Sequence, residues 1–139
     1  MDFVALKAEL TTDPAGLGYA PHITLGSDHR VADLLNLPRA TIQVARGLIP
    51  SHEIVNAIDW ADVAVGVSLE PLKAILSAGQ VDTGNVRVRA AFQALFPAGS
   101  GTRSRIVALA MRDGSRMEQL FGVAQSVVHA DVAWALRGI

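Results

Sequence analysis

Four histidines, one Ser-His-Glu run, one glycine-rich turn and a series of arginines are the residues whose types could do chemistry in this chain. The histidines are His22, His29, His52 and His129. A metal held by imidazoles favours pairs one helical turn apart, because residues i and i+4 share a face. No two histidines stand that close. His29 and Asp33 do, on a predicted helix, but no second strong ligand lies beside them in sequence. The expectation is surface or capping roles, with no metal and no cofactor.

Ser51-His52-Glu53 brings together nucleophile, base and acid types. Adjacent helical residues point in different directions, whereas a catalytic triad must converge in space around a supported serine. There is no Gly-x-Ser-x-Gly turn. Ser51 is better read as a helix cap. Gly99-Ser100-Gly101-Thr102-Arg103 precedes a helix, where free N–H groups can hold an anion. A Walker-type loop needs a lysine that this stretch lacks, so the preferred reading is a turn between helices. No catalytic residues are expected, and the chain is not read as an enzyme.

Ala61–Ile75 invites a helix-turn-helix reading, with Gly66-Val67-Ser68 as the turn. Asp62 falls where a small apolar residue is wanted, Glu70 and Pro71 open the second helix, and Lys73 is its one base. Nucleic acid is therefore a disfavoured partner. The arginines carry more weight. Arg87, Arg89, Arg103, Arg105, Arg112 and Arg116 suit bidentate contact with carboxylates across a protein interface. Together with Tyr19, the only tyrosine, they are the candidate protein-interface residues. Phe92 and Phe96 read as core rather than as platforms for stacking bases.

These side chains need a scaffold. Phe3, Leu6 and Leu10 give a first helix over 2–10, stopped before Pro14 because the residue preceding proline avoids helical backbone. Gly16 to Gly26 reads as irregular. A helix capped by Ser27 or Asp28 runs to about Leu37. Residues 39–50 read as loop, although Thr41-Ile42-Gln43-Val44 alternates like a short extended piece. Ser51 and Ser68 begin two further helices, with Trp60 between them. Asp82 or Thr83 starts the clearest helix, which Pro97 ends, and Thr102 caps the next, which Gly114 closes. Ser115-Arg116-Met117-Glu118 matches a capping box. A last helix covers about Ala130 to Arg137. The predicted fold is all-α: a bundle of six to seven short helices in one domain, 1–139. Helices this short are marginal alone and need tertiary or partner packing.

Composition agrees with a packed domain. Of the 139 residues, 50% are hydrophobic and 18% charged, with a net charge of −1. This is the opposite of the disordered composition, and it gives no overall pull toward nucleic acid or anionic lipid. Charge is polarised, however. Asp2 to Asp62 carries eight acids and four bases; Glu70 onward carries five acids and eight bases. Such polarity suits head-to-tail packing of like subunits or a basic face meeting an acidic partner, the alternative being a solvated face. There are no cysteines, which excludes disulfides and thiolate chemistry. No signal peptide is read at the N-terminus, and Val63–Val67 is too short to span a bilayer.

Two blocks resemble a known family. The first is Leu6-Lys7-Ala8-Glu9-Leu10-Thr11-Thr12-Asp13-Pro14-Ala15-Gly16-Leu17-Gly18-Tyr19-Ala20, followed by Ala32-Asp33-Leu34-Leu35-Asn36. The second is Asn85-Val86-Arg87-Val88-Arg89-Ala90-Ala91-Phe92, with Phe96, Gly99, Thr102-Arg103 and Ser115 to Gly122. Together they are similar to a family of small structural proteins of tailed bacteriophages. From Arg39 to Val81 the chain departs from that pattern, and nothing is carried over there. The resemblance implies a virion component of the tail, fibre or head-to-tail connector, assembled in the host cytoplasm, with copies of itself and other phage structural proteins as partners. It implies no catalytic residues. The alternative is a small phage-encoded regulator or inhibitor that binds a host protein or DNA.

Overall fold

A computed structural model describes residues 1–138. The all-helical expectation is overturned: among the described residues nine helices are joined by four short strands in two small antiparallel sheets. In chain order the elements are α1 (Phe3–Thr12), α2 (Tyr19–Thr24), α3 (Asp28–Asn36), β1 (Arg39–Ala45), β2 (Leu48–Pro50), α4 (Ser51–Ala57), a 3₁₀ turn (Trp60–Asp62), α5 (Glu70–Ser77), β3 (Gln80–Asp82), α6 (Val86–Leu95), α7 (Gly101–Leu109), β4 (Met111–Gly114), α8 (Arg116–Phe121) and α9 (His129–Arg137). The chain divides into two compact units, the second inserted into the first. Unit 1 is Met1–Val44 with the stretch from Asp113 onward, and unit 2 is Ala45–Arg112.

Unit 1 packs α1 and α3 against α9, with α2 and α8 on α3. Leu6, Leu10, Tyr19, Val31, Leu35, Met117, Val127 and Val132 form its core. Several helix ends have a local cause. The Asp2 carboxylate accepts from the N–H groups of Val4 and Ala5 and starts α1. At the other end Asp13 turns left-handed, and its side chain accepts from Leu17 N (2.7 Å) and Gly18 N (2.8 Å). The Gly16–Gly26 stretch, expected to be irregular, is therefore a built turn followed by α2. The Asn36 side chain bonds both backbone groups of Val127, at 2.7 and 3.0 Å, and so fixes the approach to α9. The capping box at Ser115 and Glu118 is present as the spacing predicts.

In β1 the alternation of Thr41-Ile42-Gln43-Val44 is a true strand pattern, with Ile42 and Val44 buried and their neighbours exposed. Its partner is β4. Gly114 is required there by close approach, because a Cβ would lie 2.6 Å from Val44 Cγ1.

Unit 2 gathers Ile49, Ile54, Ile58, Leu72, Val81, Phe92, Leu95, Phe96 and Ile106 into a second core. β2 pairs antiparallel with β3 in the register Leu48↔Asp82, Ile49↔Val81, Pro50↔Gln80. Asn85, rather than Asp82 or Thr83, caps α6, and Ser100, rather than Thr102, caps α7. Ser51 is the first residue of α4 instead of its cap, and its hydroxyl is buried without a hydrogen-bond partner among the described residues.

Candidate functional site

The structure disperses the seven candidate interface residues among five settings. Tyr19 and Arg116 meet in unit 1, around Glu9. Arg116 reaches both Glu9 oxygens, through Nε and Nη2, each at 2.8 Å. The Tyr19 hydroxyl donates to Glu9 Oε1 at 3.2 Å. Tyr19 has no exposed surface, and the Glu9 and Arg116 side chains are 4% and 14% exposed. This trio locks α8 and the loop after α1 onto the core. Its members come from α1, the start of α2 and α8, so these distant segments share a folding device.

Burial first, and Glu9 second, push the Tyr19 phenol well above its ordinary value of 10.0. The unfolded chain gives up this proton as pH passes the ordinary value, whereas the folded chain keeps it. Stability is therefore intact below about pH 10 and falls as pH rises further. Urea unfolding between about pH 9 and pH 11 is expected to show this slope, and Tyr19→Phe to flatten it. An equal slope in both proteins would assign the effect to another group.

Arg105 is consumed within unit 2. Its Nε donates to the Ala57 carbonyl at 2.8 Å, beside a compact polar knot. There the fully buried Thr102 donates its hydroxyl to Asp62 Oδ2 (2.7 Å) and accepts from Asp59 N (2.8 Å). The Thr102 amide also donates to Asp62. The side-chain bond from Thr102, then its backbone bond, hold Asp62 below the usual carboxylate range. Its stabilising contribution is thus present above that range and is lost as pH falls through the lowered value. Thr102→Val is expected to raise the Asp62 titration toward the usual range, read from the carboxyl carbon by NMR. An unmoved midpoint would show that the hydroxyl is not what holds it. Sequence spacing offered no sign of this knot, which joins residues forty positions apart.

Arg112 lies half-buried in β4 and is engaged in polar interaction. Arg87 is exposed on α6. Arg89 and Arg103 come together on one feature, a cleft of about 350 Å³ between α6 and α7. Phe92, Phe96 and Ile106 line it, with the exposed Val107 and Met111 at its edge. Arg89 Nε is anchored on the Thr83 carbonyl at 2.6 Å. No Asp or Glu lines the cleft. A second depression, in unit 1, is lined by His22, Arg30, Asp33, Leu34 and Leu37.

The other sequence constellations are not assembled. Among the described residues no group of three His, Asp or Glu side chains is placed to hold a metal ion. Glu53 pairs with Arg46 at 2.5 Å rather than with His52. Ala61–Ile75 contains the end of a 3₁₀ turn, an irregular link and α5, so the first helix of a helix-turn-helix is missing. No described helix is long and apolar enough to cross a membrane. No family model, curated protein or solved structure matches the chain.

Proposed function

We propose that the chain is a structural component of a tailed-phage particle and acts through protein–protein contacts. The observation that carries the contact reading is the cleft of unit 2, an apolar floor with two guanidiniums and no acid in its lining. Arginine above buried aromatic and aliphatic groups is the composition of the energetic centre of protein interfaces. Exposed large apolar residues elsewhere support it: Leu48, Trp60, Val65 and Val86 in unit 2, and Val4, Leu25 and Trp134 in unit 1. The particle itself is supported by the two sequence blocks that resemble phage structural proteins. Mass spectrometry of purified particles, with the chain's copy number against a tail or capsid standard, tests it. Recovery at a fixed stoichiometry is expected. Absence from particles, with the chain present in infected cells, would overturn it in favour of a regulator.

A further inference from the structure

Resting on the reading that the chain works through protein contacts, we infer that the cleft between α6 and α7 binds an acidic protein segment. In that segment a bulky apolar side chain stands beside one or more carboxylates. The floor sets the first requirement. Phe92, Phe96 and Ile106 are buried core residues that form the base of the cleft, and the apolar surface an occupant gains by covering is that of Val107 and Met111 at its edge. The rim sets the second. Arg89 spends its Nε on Thr83, which orients the guanidinium and leaves its two terminal nitrogens as donors. Arg103 is half-buried on the facing helix. Among the described residues neither guanidinium is in an ion pair, and no acid lines the cleft. Two cations over an apolar base, Arg103 half-buried and Arg89 exposed but anchored on Thr83, select a carboxylate as partner through charge-assisted hydrogen bonds.

Size argues for a protein segment over a small molecule. About 350 Å³ is near the lower end of small-molecule sites. Yet the apolar lining continues outward: Val107 is 59% exposed and Met111 38%. An occupant that covers both must extend past the cleft, as a segment on a partner's surface does. Base stacking is disfavoured, because Phe92 and Phe96 are buried and stacked on each other with centroids 6.4 Å apart.

The test uses the full chain and three fluorescein-labelled synthetic peptides. One carries a leucine flanked by glutamates; its twins replace the glutamates by glutamine or the leucine by alanine. Anisotropy measures affinity, and amide shift mapping locates the site. The acidic leucine peptide is expected to bind with shifts on α6 and α7. Each twin is expected to bind about tenfold more weakly, as is the Arg89→Gln/Arg103→Gln protein. Val107→Glu, at an exposed position that leaves the core intact, is expected to abolish binding by repulsion. Raised salt is expected to weaken the acidic peptide more than its glutamine twin. Equal binding of the acidic and glutamine peptides would overturn the inference. So would unchanged binding by Val107→Glu, or no binding of the acidic peptide at millimolar concentration. The particle experiment fails separately: a chain absent from particles whose cleft still binds the acidic peptide keeps the site and loses the virion assignment.

Discussion

Arg116→Ala is expected to destabilise the chain by about 3–5 kcal/mol, the cost of stranding one partner of a buried ion pair. The reason is Glu9, not the arginine. The Glu9 side chain is 4% exposed and accepts two bonds from Arg116 and one from Tyr19. With Arg116 truncated, a carboxylate inside the core of unit 1 keeps only the phenol. An exposed pair such as Lys73–Glu70, by contrast, contributes well under about 1 kcal/mol. Urea unfolding of Arg116→Ala and of Glu9→Leu/Arg116→Leu distinguishes the two cases. The double variant removes both charges together and is expected to recover most of the loss. A single-variant loss below about 1 kcal/mol would mean that Glu9 is solvated and that the trio does not lock the loop.

Phe96→Ala is expected to cost about 3–5 kcal/mol, because it removes a fully buried ring and leaves a cavity. Phe96 ends α6, stacks on Phe92 and shares the core with Leu95 and Ile106. Its ring also lines the cleft, so the same substitution should weaken the acidic peptide. Phe96→Leu, closer in volume, is expected to cost less than about half as much. Urea unfolding with hydrogen exchange across α6 and α7 reads both variants. Near-equal losses would show that the site collapses around the smaller side chain.

Much of the fold follows from local rules. Asp2, Asn85 and Ser100 are polar residues with a short acceptor just before a helix, and each caps one. The Ser115–Glu118 capping box needs only its four-residue spacing. Two residues marked as caps, Ser51 and Thr102, instead sit inside their helices. A serine or threonine is chemically able to cap, but which of several candidates does so depends on where the chain enters the helix.

The strands were harder to read. The alternation in Arg39–Ala45 is visible in the sequence, yet its partner Met111–Gly114 looks like the end of a helix. Three- and four-residue strands are too short to show a period of two, and a strand is defined by a partner far along the chain. An all-helical expectation therefore misses both sheets. The division into two compact units is hidden for the same reason: its boundaries lie within β1 and β4, where composition does not change.

The arginines show the same division of labour. By itself the sequence determined that they are concentrated in the second half of the chain, that cysteine chemistry is excluded, and that the Ser115–Glu118 capping box starts a helix. These properties depend on composition or on neighbours a few residues apart. Only the tertiary structure decided which arginines are available. Arg116 is half-buried and paired with the buried Glu9 from 107 positions away, Arg105 is spent on the Ala57 carbonyl, and Arg89 and Arg103 are left at an apolar cleft. A guanidinium's role is set by the acids and carbonyls that folding brings within about 3 Å of it, and those partners are distant in sequence.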